Sequence, residues 1–225
     1  MKKYICTFLM MLMAVFSFAR SYTLLEFFDY IQAHNVGLIN AALKSHPEYL
    51  NKVLDGSYSL NVAAESGYND LIIDFIKRGA KVNLPGANPP MIGAAMHMRL
   101  DTVKLLYDKK ADINAKEINS GMTALMAVCQ FSGDAQEAIV RFLVSKKDLK
   151  IDQPDNSNKN ALDHAFNGKR FNIAEILLKA NAKPSETLAA NPEFRTFYQS
   201  VMNKELSEQL LNSLDKTLKD ELAMN

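Results

Sequence analysis

The sequence predicts an all-α fold, in which short helix pairs stack side by side as a solenoid and a helical cap closes the C-terminal end. Three observations predict this fold: a recurring segment, a fixed spacing of small residues, and aliphatic residues at helical spacing. The recurring segment is an amphipathic helix that ends in a turn, and it covers residues 67–83, 99–114 and 170–185. Because one helix pair cannot bury its own apolar stripe, each copy is expected to cover the next.

Each repeat is predicted to contain a thin inner helix, a short turn and a longer outer helix. Sixteen residues separate a residue of the inner helix from an alanine of the final turn in the pairs Ala64–Ala80, Ala95–Ala111 and Phe166–Ala182. The outer helices carry aliphatic residues that recur on one face. A fourth copy begins at Gly121, and an insert at residues 131–136 delays its outer helix by about three residues.

These residues resemble the ankyrin repeat, whose pattern is T-P-L-H-x-A-A-x-x-G-H, a Leu- and Val-rich helix, and then G-A-D-V-N. Several pieces of that pattern recur in register in four copies. The matching residues are Leu60, Ala63, Ala64, Gly67, Gly79, Ala80, Val82 and Asn83; Pro90, Ala94, Ala95, Leu105, Leu106, Ala111, Asp112, Ile113 and Asn114; Gly121, Thr123, Leu125 and Cys129; and Leu162, Ala165, Leu177, Leu178 and Ala182.

The sequence departs from the ankyrin pattern in two ways, and each departure leads to a prediction. No copy keeps the complete T-P-L-H motif, whose Thr and His form hydrogen bonds at the turn, so weaker local support is expected. Phe166 stands where a small alanine is usual, which predicts a different neighbour on the outer side of the last repeat. The resemblance implies protein binding through a concave face, with no catalysis.

The chain is predicted to divide into four segments. Residues 1–19 form a signal peptide, residues 20–56 an N-terminal partial or capping repeat, residues 57–185 four ankyrin repeats, and residues 186–225 a C-terminal helical cap. In the cap, Asn191 and Pro192 predict a helix start. That helix is expected to end near Met202, and a second helix is expected over residues 204–222.

Leucines stand four residues apart along the second predicted cap helix. They are Leu206, Leu210, Leu214, Leu218 and Leu222. A strict four-residue step drifts around a helix, so no straight coiled-coil seam is expected. The helix is interpreted as a cap on the last repeat, with self-association or a partner helix as the alternative.

The N-terminal residues have the organisation of a secretory signal peptide. Lys2 and Lys3 precede an apolar run of about fifteen residues, and small residues favour cleavage between Ala19 and Arg20. A membrane anchor is the alternative, but the run is shorter than the roughly 20 residues that a bilayer requires. The sequence therefore predicts export, with the bacterial periplasm favoured and the extracellular space as the alternative. Cleavage also removes Cys6 and leaves Cys129 as the single cysteine, so no internal disulfide is expected.

Composition gives no indication of a nucleic-acid or membrane-surface partner, because the net charge is +1 and no long charged run occurs. The four histidines show no metal-ligand spacing, and no phosphate-binding or nucleophile motif is present. Cys129 occupies a position that usually holds alanine, so a buried and inert thiol is expected. The sequence therefore predicts neither an enzyme nor a cofactor or metal site.

The candidate binding surface is formed by the finger loops between repeats and the adjoining inner helices. The predicted fingers are Asn83–Pro90, Asn114–Met122 and Asp152–Asn160. Solvated turns and core methionines are the structural alternatives for these positions. The candidate partner-binding residues are Asn88, Met96, Met98, Lys116, Asn119, Asp155, Asn156 and Asn158.

The predicted function is non-catalytic protein recognition in the bacterial envelope. Three alternatives stay open at this point: a secreted factor that binds host proteins, an immunity protein that masks a toxin, and a redox component that acts through Cys129. The identity of the partner protein does not follow from the residues.

Overall fold

The computed structural model of this protein describes residues 22–131, 133 and 135–223, and it describes side chains as far as Ser207. The predicted signal peptide and its cleavage site at Ala19 and Arg20 lie outside the described residues. Within the described part, the chain forms twelve α-helices, and the only bridge is an isolated one between Leu54 and Ser57. The predicted all-α solenoid is confirmed.

The helices follow one another along the chain with short connections. A 3₁₀ turn at Pro47–Leu50 separates the first pair from the rest. Their bounds are α1 Leu24–Gln32, α2 Val36–Ser45, α3 Ser59–Ser66, α4 Asn69–Lys77, α5 Pro90–Met96, α6 Leu100–Asp108, α7 Ala124–Gln130, α8 Gln136–Val144, α9 Ala161–Asn167, α10 Phe171–Lys179, α11 Glu186–Ala190 and α12 Pro192–Ala223.

The pairs stack in chain order. The inner helices α3, α5, α7 and α9 each pack against the next inner helix, and the outer helices α4, α6, α8 and α10 do the same less closely. At the N-terminal end, α1 packs against α3, the inner helix of the next pair. One continuous hydrophobic core runs through all of these elements.

Small side chains explain why the inner helices approach so closely. Ala63 and Ala64 in α3 and Ala94 and Ala95 in α5 are fully buried between neighbouring helices. Cys129 occupies the corresponding buried position of α7. A larger side chain at these positions would force the inner helices apart.

The N-terminal pair begins with a capping box at Thr23. Its backbone N–H and hydroxyl both bond the Glu26 carboxylate, and its hydroxyl accepts a bond from the backbone N–H of Glu26. Phe27 of α1 is fully buried and lies 5.7 Å from the ring of Tyr49 and 6.2 Å from the ring of Phe75. These contacts join α1, the 3₁₀ turn and α4.

Other residues restore the hydrogen bonds of the missing T-P-L-H motif in two repeats. Asn61 accepts a bond from the backbone N–H of Tyr58 and donates to the carbonyl oxygen of Asn88 at 2.7 Å. Asp163 accepts bonds from the backbone N–H of Asn160 and from the hydroxyl of Ser185. The expectation of weaker local support is therefore wrong for the α3 and α9 repeats.

The insert before α8 is closed by one buried glutamine. The side-chain amide of Gln136 donates to the carbonyl oxygen of Val128 at 2.8 Å and to that of Phe131 at 2.7 Å. These bonds satisfy carbonyl groups at the end of α7, which the longer turn would otherwise leave without partners. The outer helix α8, which begins later in its repeat because of the insert, therefore still packs against the neighbouring outer helices.

The C-terminal cap begins as predicted, because the Asn191 side chain accepts hydrogen bonds from the backbone N–H groups of Glu193 and Phe194. The predicted break after Met202 is wrong: α12 runs unbroken from Pro192 to Ala223. No glycine or proline interrupts this stretch, and Asn203 lowers helix propensity only modestly.

Aromatic contacts hold the cap on the last repeat. Phe166 lies 5.2 Å from the ring of Phe194 and 5.6 Å from that of Phe197, and Phe171 lies 5.4 Å from Phe197. Phe194 and Val201 of α12 are buried. The aromatic residue at position 166 therefore meets the first turns of α12, where a further repeat would otherwise stack.

Candidate recognition surface

The finger loops are joined to one another by a recurring side-chain bridge. In three consecutive repeats, one asparagine donates to a backbone carbonyl of the next repeat and accepts from a backbone N–H two residues further on. Asn51 bridges Gly79 and Lys81, Asn83 bridges Lys110 and Asp112, and Asn114 bridges Asp148 and Lys150, all at 2.7–2.9 Å. Asp152 continues the series by accepting from the backbone N–H of Lys183 at 2.7 Å.

The finger tips are cross-linked as well. The backbone N–H of Asn88 donates to the carbonyl oxygen of Gly56 at 2.7 Å, and its side-chain oxygen accepts from the backbone N–H of Ile118 at 3.1 Å. One residue thus connects the tips of three successive fingers. Because the backbones are held together, the tips have a defined shape in the absence of a partner.

A second set of contacts connects the next two fingers. Asn156 donates its backbone N–H to the carbonyl oxygen of Ser120 at 2.9 Å and its side-chain amide to that of Asn119 at 2.8 Å. The Lys116 ammonium donates to the carbonyl oxygen of Pro154 at 2.6 Å. At Gly121, φ is +71°, and a Cβ atom there would lie 3.1 Å from the backbone nitrogen of Asn156, so glycine is required for this approach.

Glu117 organises the tip of its own finger. Its carboxylate accepts hydrogen bonds from the backbone N–H groups of Asn119 and Ser120 and from the Ser120 hydroxyl. Desolvation raises the pKa of Glu117, but the hydrogen bonds from Ser120 and Asn119 outweigh it and leave that pKa below its usual value. The ionised carboxylate therefore fixes the turn that precedes Gly121.

Asp155 lies inside its loop and does not face solvent. Its carboxylate accepts bonds from the backbone N–H groups of Ser157 and Lys159 and pairs with His164 of α9 at 2.8 Å. Burial raises the pKa of Asp155, yet the hydrogen bonds from Lys159, His164 and Ser157 together hold it below the usual value. The structure thus makes Asp155 an internal anchor of the loop, and its role as a contact residue stays a prediction.

Exposed apolar side chains stand at the finger tips and at the ends of the inner helices. Leu54 and Ile118 are exposed at finger tips, and 51% of Ile118 is accessible to solvent. Met96 and Phe131 are exposed at the C-terminal ends of the neighbouring inner helices α5 and α7. We call Leu54, Met96, Ile118 and Phe131, together with the loops at residues 51–58, 83–90, 114–122 and 152–160, the finger face.

The predicted contact residues occupy three different positions. Asn88, Lys116, Asn119 and Asn156 are used in bonds between fingers, so their side chains or backbones are already engaged. Met96 and Asn158 are exposed, and Asn158 adopts a left-handed backbone conformation at φ +58°. Met98 is half-buried beside Gly133. Whether these residues contact a partner stays a prediction.

Sequence reasoning placed Ile118 within a predicted finger without singling it out, and it missed Leu54 and Phe131 as surface residues and Asn51 as a bridge. Apolar residue types alone do not reveal exposure, because most of the apolar residues in these repeats are buried. The bridging asparagines did leave a signal in the recurring pairs Val82-Asn83, Ile113-Asn114 and Ile151-Asp152.

The described part of the chain contains no cluster of three or more His, Cys, Asp or Glu side chains that could hold a metal ion. Cys129 is free and completely buried, and burial raises the pKa of its thiol well above the ordinary range. A buried thiol of raised pKa is a poor nucleophile. Among the described helices, none combines the length and apolar character needed to cross a bilayer.

Comparison with known families agrees with this architecture. Residues 91–187 match the family model described as ankyrin repeats, in three copies. This stretch contains the helix pairs from α5 to α10 and is an ankyrin repeat domain, so the resemblance is confirmed there. The first predicted repeat, around α3 and α4, lies outside the match, and the boundaries of the four predicted repeats stay a prediction. A search of curated proteins found no match to the chain.

Ankyrin repeats are in general modules for protein–protein interaction, and the family is typically non-catalytic. The described part of this chain therefore provides a scaffold of that class, with its loops and inner helices available as a surface.

Proposed function

We propose that this protein is an exported, non-catalytic recognition protein of the bacterial envelope, which binds another protein across the finger face. One observation carries the proposal: cross-linked loops hold the exposed side chains of Leu54 and Ile118 on a preformed surface. Exposed apolar residues in a polar surrounding are typical of interaction sites. Because the loops are already ordered, binding costs less conformational entropy.

The chemistry of the finger face favours a partner protein over a small molecule. Its apolar residues are spread over several repeats and are separated by polar loop backbone, whereas small-molecule sites are usually concave and enclosed. Ile118 stands at the middle of the cross-linked fingers, so it is the residue we expect to contribute most to binding.

A pulldown with a matched control tests this proposal. The tagged protein is incubated with envelope extract as wild type, as Ile118→Asp and as the control Leu25→Asp. Leu25 is a similarly exposed residue of α1 that is not part of the finger face. We expect one partner to be retained by wild type and by Leu25→Asp. Loss of about 2 kcal/mol at a hot spot weakens binding roughly 30-fold, so Ile118→Asp should lose that partner. Equal retention by both variants would contradict the proposal.

Export is a separate part of the proposal. It is supported by Lys2, Lys3, the apolar run and the small residues before Arg20. Cell fractionation followed by N-terminal sequencing should find the accumulated protein in the periplasm with Arg20 as its first residue. Recovery in the culture medium or in host cytosol would favour the secreted alternative.

The redox alternative is disfavoured by the burial of Cys129. Replacing Cys129 by alanine should leave peroxide tolerance unchanged, since the neighbouring repeats accept alanine at the same position. A fall in tolerance at normal protein abundance would support a redox role instead.

A further inference from the structure

A groove lies at the C-terminal end of the stack, between the last turn of the repeats and α12. It encloses about 590 Å³. Its apolar lining includes Leu178, Ala182 and Phe194, and its charged lining residues among those described are Lys183 and Arg195, both of which are basic. We call this site the cap groove.

Apolar residues recur along α12, and they change from buried to exposed as the helix extends beyond the last repeat. Phe194 is buried, but Tyr198, Met202 and Leu206 are 40%, 39% and 67% exposed. A step of four residues advances about 40° around an α-helix, so Leu206 is turned roughly 120° away from the side that Phe194 presents to the stack. These residues therefore continue as an apolar surface that the repeats do not cover.

The sequence of α12 beyond the cap has two further properties. Leucine follows at every fourth position after Leu206, from 210 to 222. Residues 205–223 carry five acidic side chains (Glu205, Glu208, Asp215, Asp220 and Glu221) against two lysines (Lys216 and Lys219), a net charge of −3. We call residues 205–223 the projecting segment.

The chain's own projecting segment cannot occupy its own cap groove. Residues 194–202 of α12 form one wall of the groove, and the same helix continues without a break to Ala223. An unbroken helix does not fold back on its own side, so a projecting segment that lies in the groove comes from another copy of the chain. The apolar lining and basic rim of the groove match a leucine-rich, acidic segment.

We propose that the chain forms a homodimer in which the projecting segment of each copy lies in the cap groove of the other. Two-fold symmetry makes this exchange self-complementary, so both grooves and both segments are filled. About 22 residues follow Val201 in α12, a length of roughly 33 Å, which is enough to reach a neighbouring molecule. Because a four-residue step drifts around the helix, only a few turns dock on each side, and a long coiled coil does not form.

The dimer is independent of the proposed partner binding. Leu54, Met96, Ile118 and Phe131 do not line the cap groove. A homodimer would therefore leave the finger face of each copy open and present two such faces in one particle.

The oligomeric state of the whole protein, as it accumulates in cells, tests this inference. Light scattering coupled to size-exclusion chromatography is measured from low to high micromolar concentration for wild type, Leu206→Asp and the control Leu25→Asp. Both leucines are exposed, so circular dichroism should show unchanged helix content in both variants. We expect a dimer for wild type and Leu25→Asp, and at least about a tenfold higher dissociation constant for Leu206→Asp.

Charge-reversal variants, studied by the same measurement, test whether the basic rim of the groove contacts the acidic segment. Lys183→Glu should weaken the dimer, and adding Asp215→Lys in the same chain should restore part of the affinity. A monomeric wild type at every concentration would overturn the inference, as would a dimer that Leu206→Asp leaves intact. A monomer with a small apolar ligand bound, detected by native mass spectrometry, would instead assign the cap groove to that ligand.

Discussion

The side-chain oxygen of Asn114 accepts a hydrogen bond from the backbone N–H of Lys150 at 2.7 Å, across the boundary between two repeats. The same side chain donates to the carbonyl oxygen of Asp148 at 2.7 Å. Both backbone groups belong to the irregular segment after α8. They are outside a helix, so no intrahelical hydrogen bond satisfies them. One asparagine therefore fixes the position of the following loop. The finger tip that follows this loop is ordered as a result.

Removal of this bridge should destabilise the stack. Asn114→Ala leaves one backbone N–H and one carbonyl without their partner, and the net loss is expected to be about 1–2 kcal/mol in the free energy of unfolding. Asn172→Ala, at an exposed position of α10, serves as the control and should change it by less than about 0.5 kcal/mol. Equal stability of the two variants in urea unfolding would show that the bridge contributes nothing.

Enlarging a small residue between the inner helices should also destabilise the fold. Ala64→Leu or Ala95→Leu inserts three carbon atoms into a fully buried contact and should cost roughly 1–3 kcal/mol. The matched change Ala190→Leu, on the exposed side of α11, should leave the melting temperature nearly unchanged. Little change for Ala64→Leu and Ala95→Leu would contradict the close packing of these helices.

The Asp155 anchor predicts a pH-dependent stability. The folded-state pKa of Asp155 is lowered, so the ionised carboxylate stabilises the fold above the unfolded pKa of about 3.9. This contribution is lost as the pH falls through that value toward the lower folded-state pKa. Asp155→Asn should therefore reduce the free energy of unfolding by about 1–3 kcal/mol at neutral pH.

The difference between wild type and Asp155→Asn should shrink as the pH is lowered from about 5 to about 3. Asp29→Asn, at an exposed position of α1, provides the control. Chemical unfolding at several pH values measures the effect. A difference that stays constant across this range would show that the loop does not depend on the Asp155 charge.

The aromatic cap predicts that α12 supports the last repeat. Phe194→Ala removes a buried ring 5.2 Å from Phe166 and should cost about 3–5 kcal/mol, with faster hydrogen exchange in α10 and in the first turns of α12. Thr196→Ala, on the exposed side of the same helix, is the comparison. Unchanged exchange in α10 after Phe194→Ala would mean that the cap is not coupled to the stack.

Much of this architecture was predictable because helix periodicity and close packing act on adjacent residues. The alanine positions, the late outer helix after the insert and the start of α12 at Pro192 all followed from local patterns. The unbroken course of α12 did not, because its leucine spacing is compatible with either one helix or two. From Phe166 the sequence predicted only that the last repeat has a different neighbour on its outer side. The structure identifies that neighbour as the aromatic rings of α12.

The candidate surface was less predictable than the fold. Side chains such as Asn88 and Asn156 form bonds with residues 30 or more positions away, and those pairings depend on how the loops stack. Aspartate is a residue type that is usually exposed, but the side chain of Asp155 is buried and hydrogen-bonded within its own loop. Exposure of Ile118 depends on the path of one turn, which residue type does not encode.

Site-specific photo-cross-linking in intact cells tests the recognition surface most directly. A photoreactive residue is placed at position 118 on the finger face or at position 104, an exposed lysine on the outer helix α6. We predict that position 118 captures one defined protein in the envelope fraction and that position 104 does not. Capture of the same protein at both positions, or of none at position 118, would contradict recognition through the finger face.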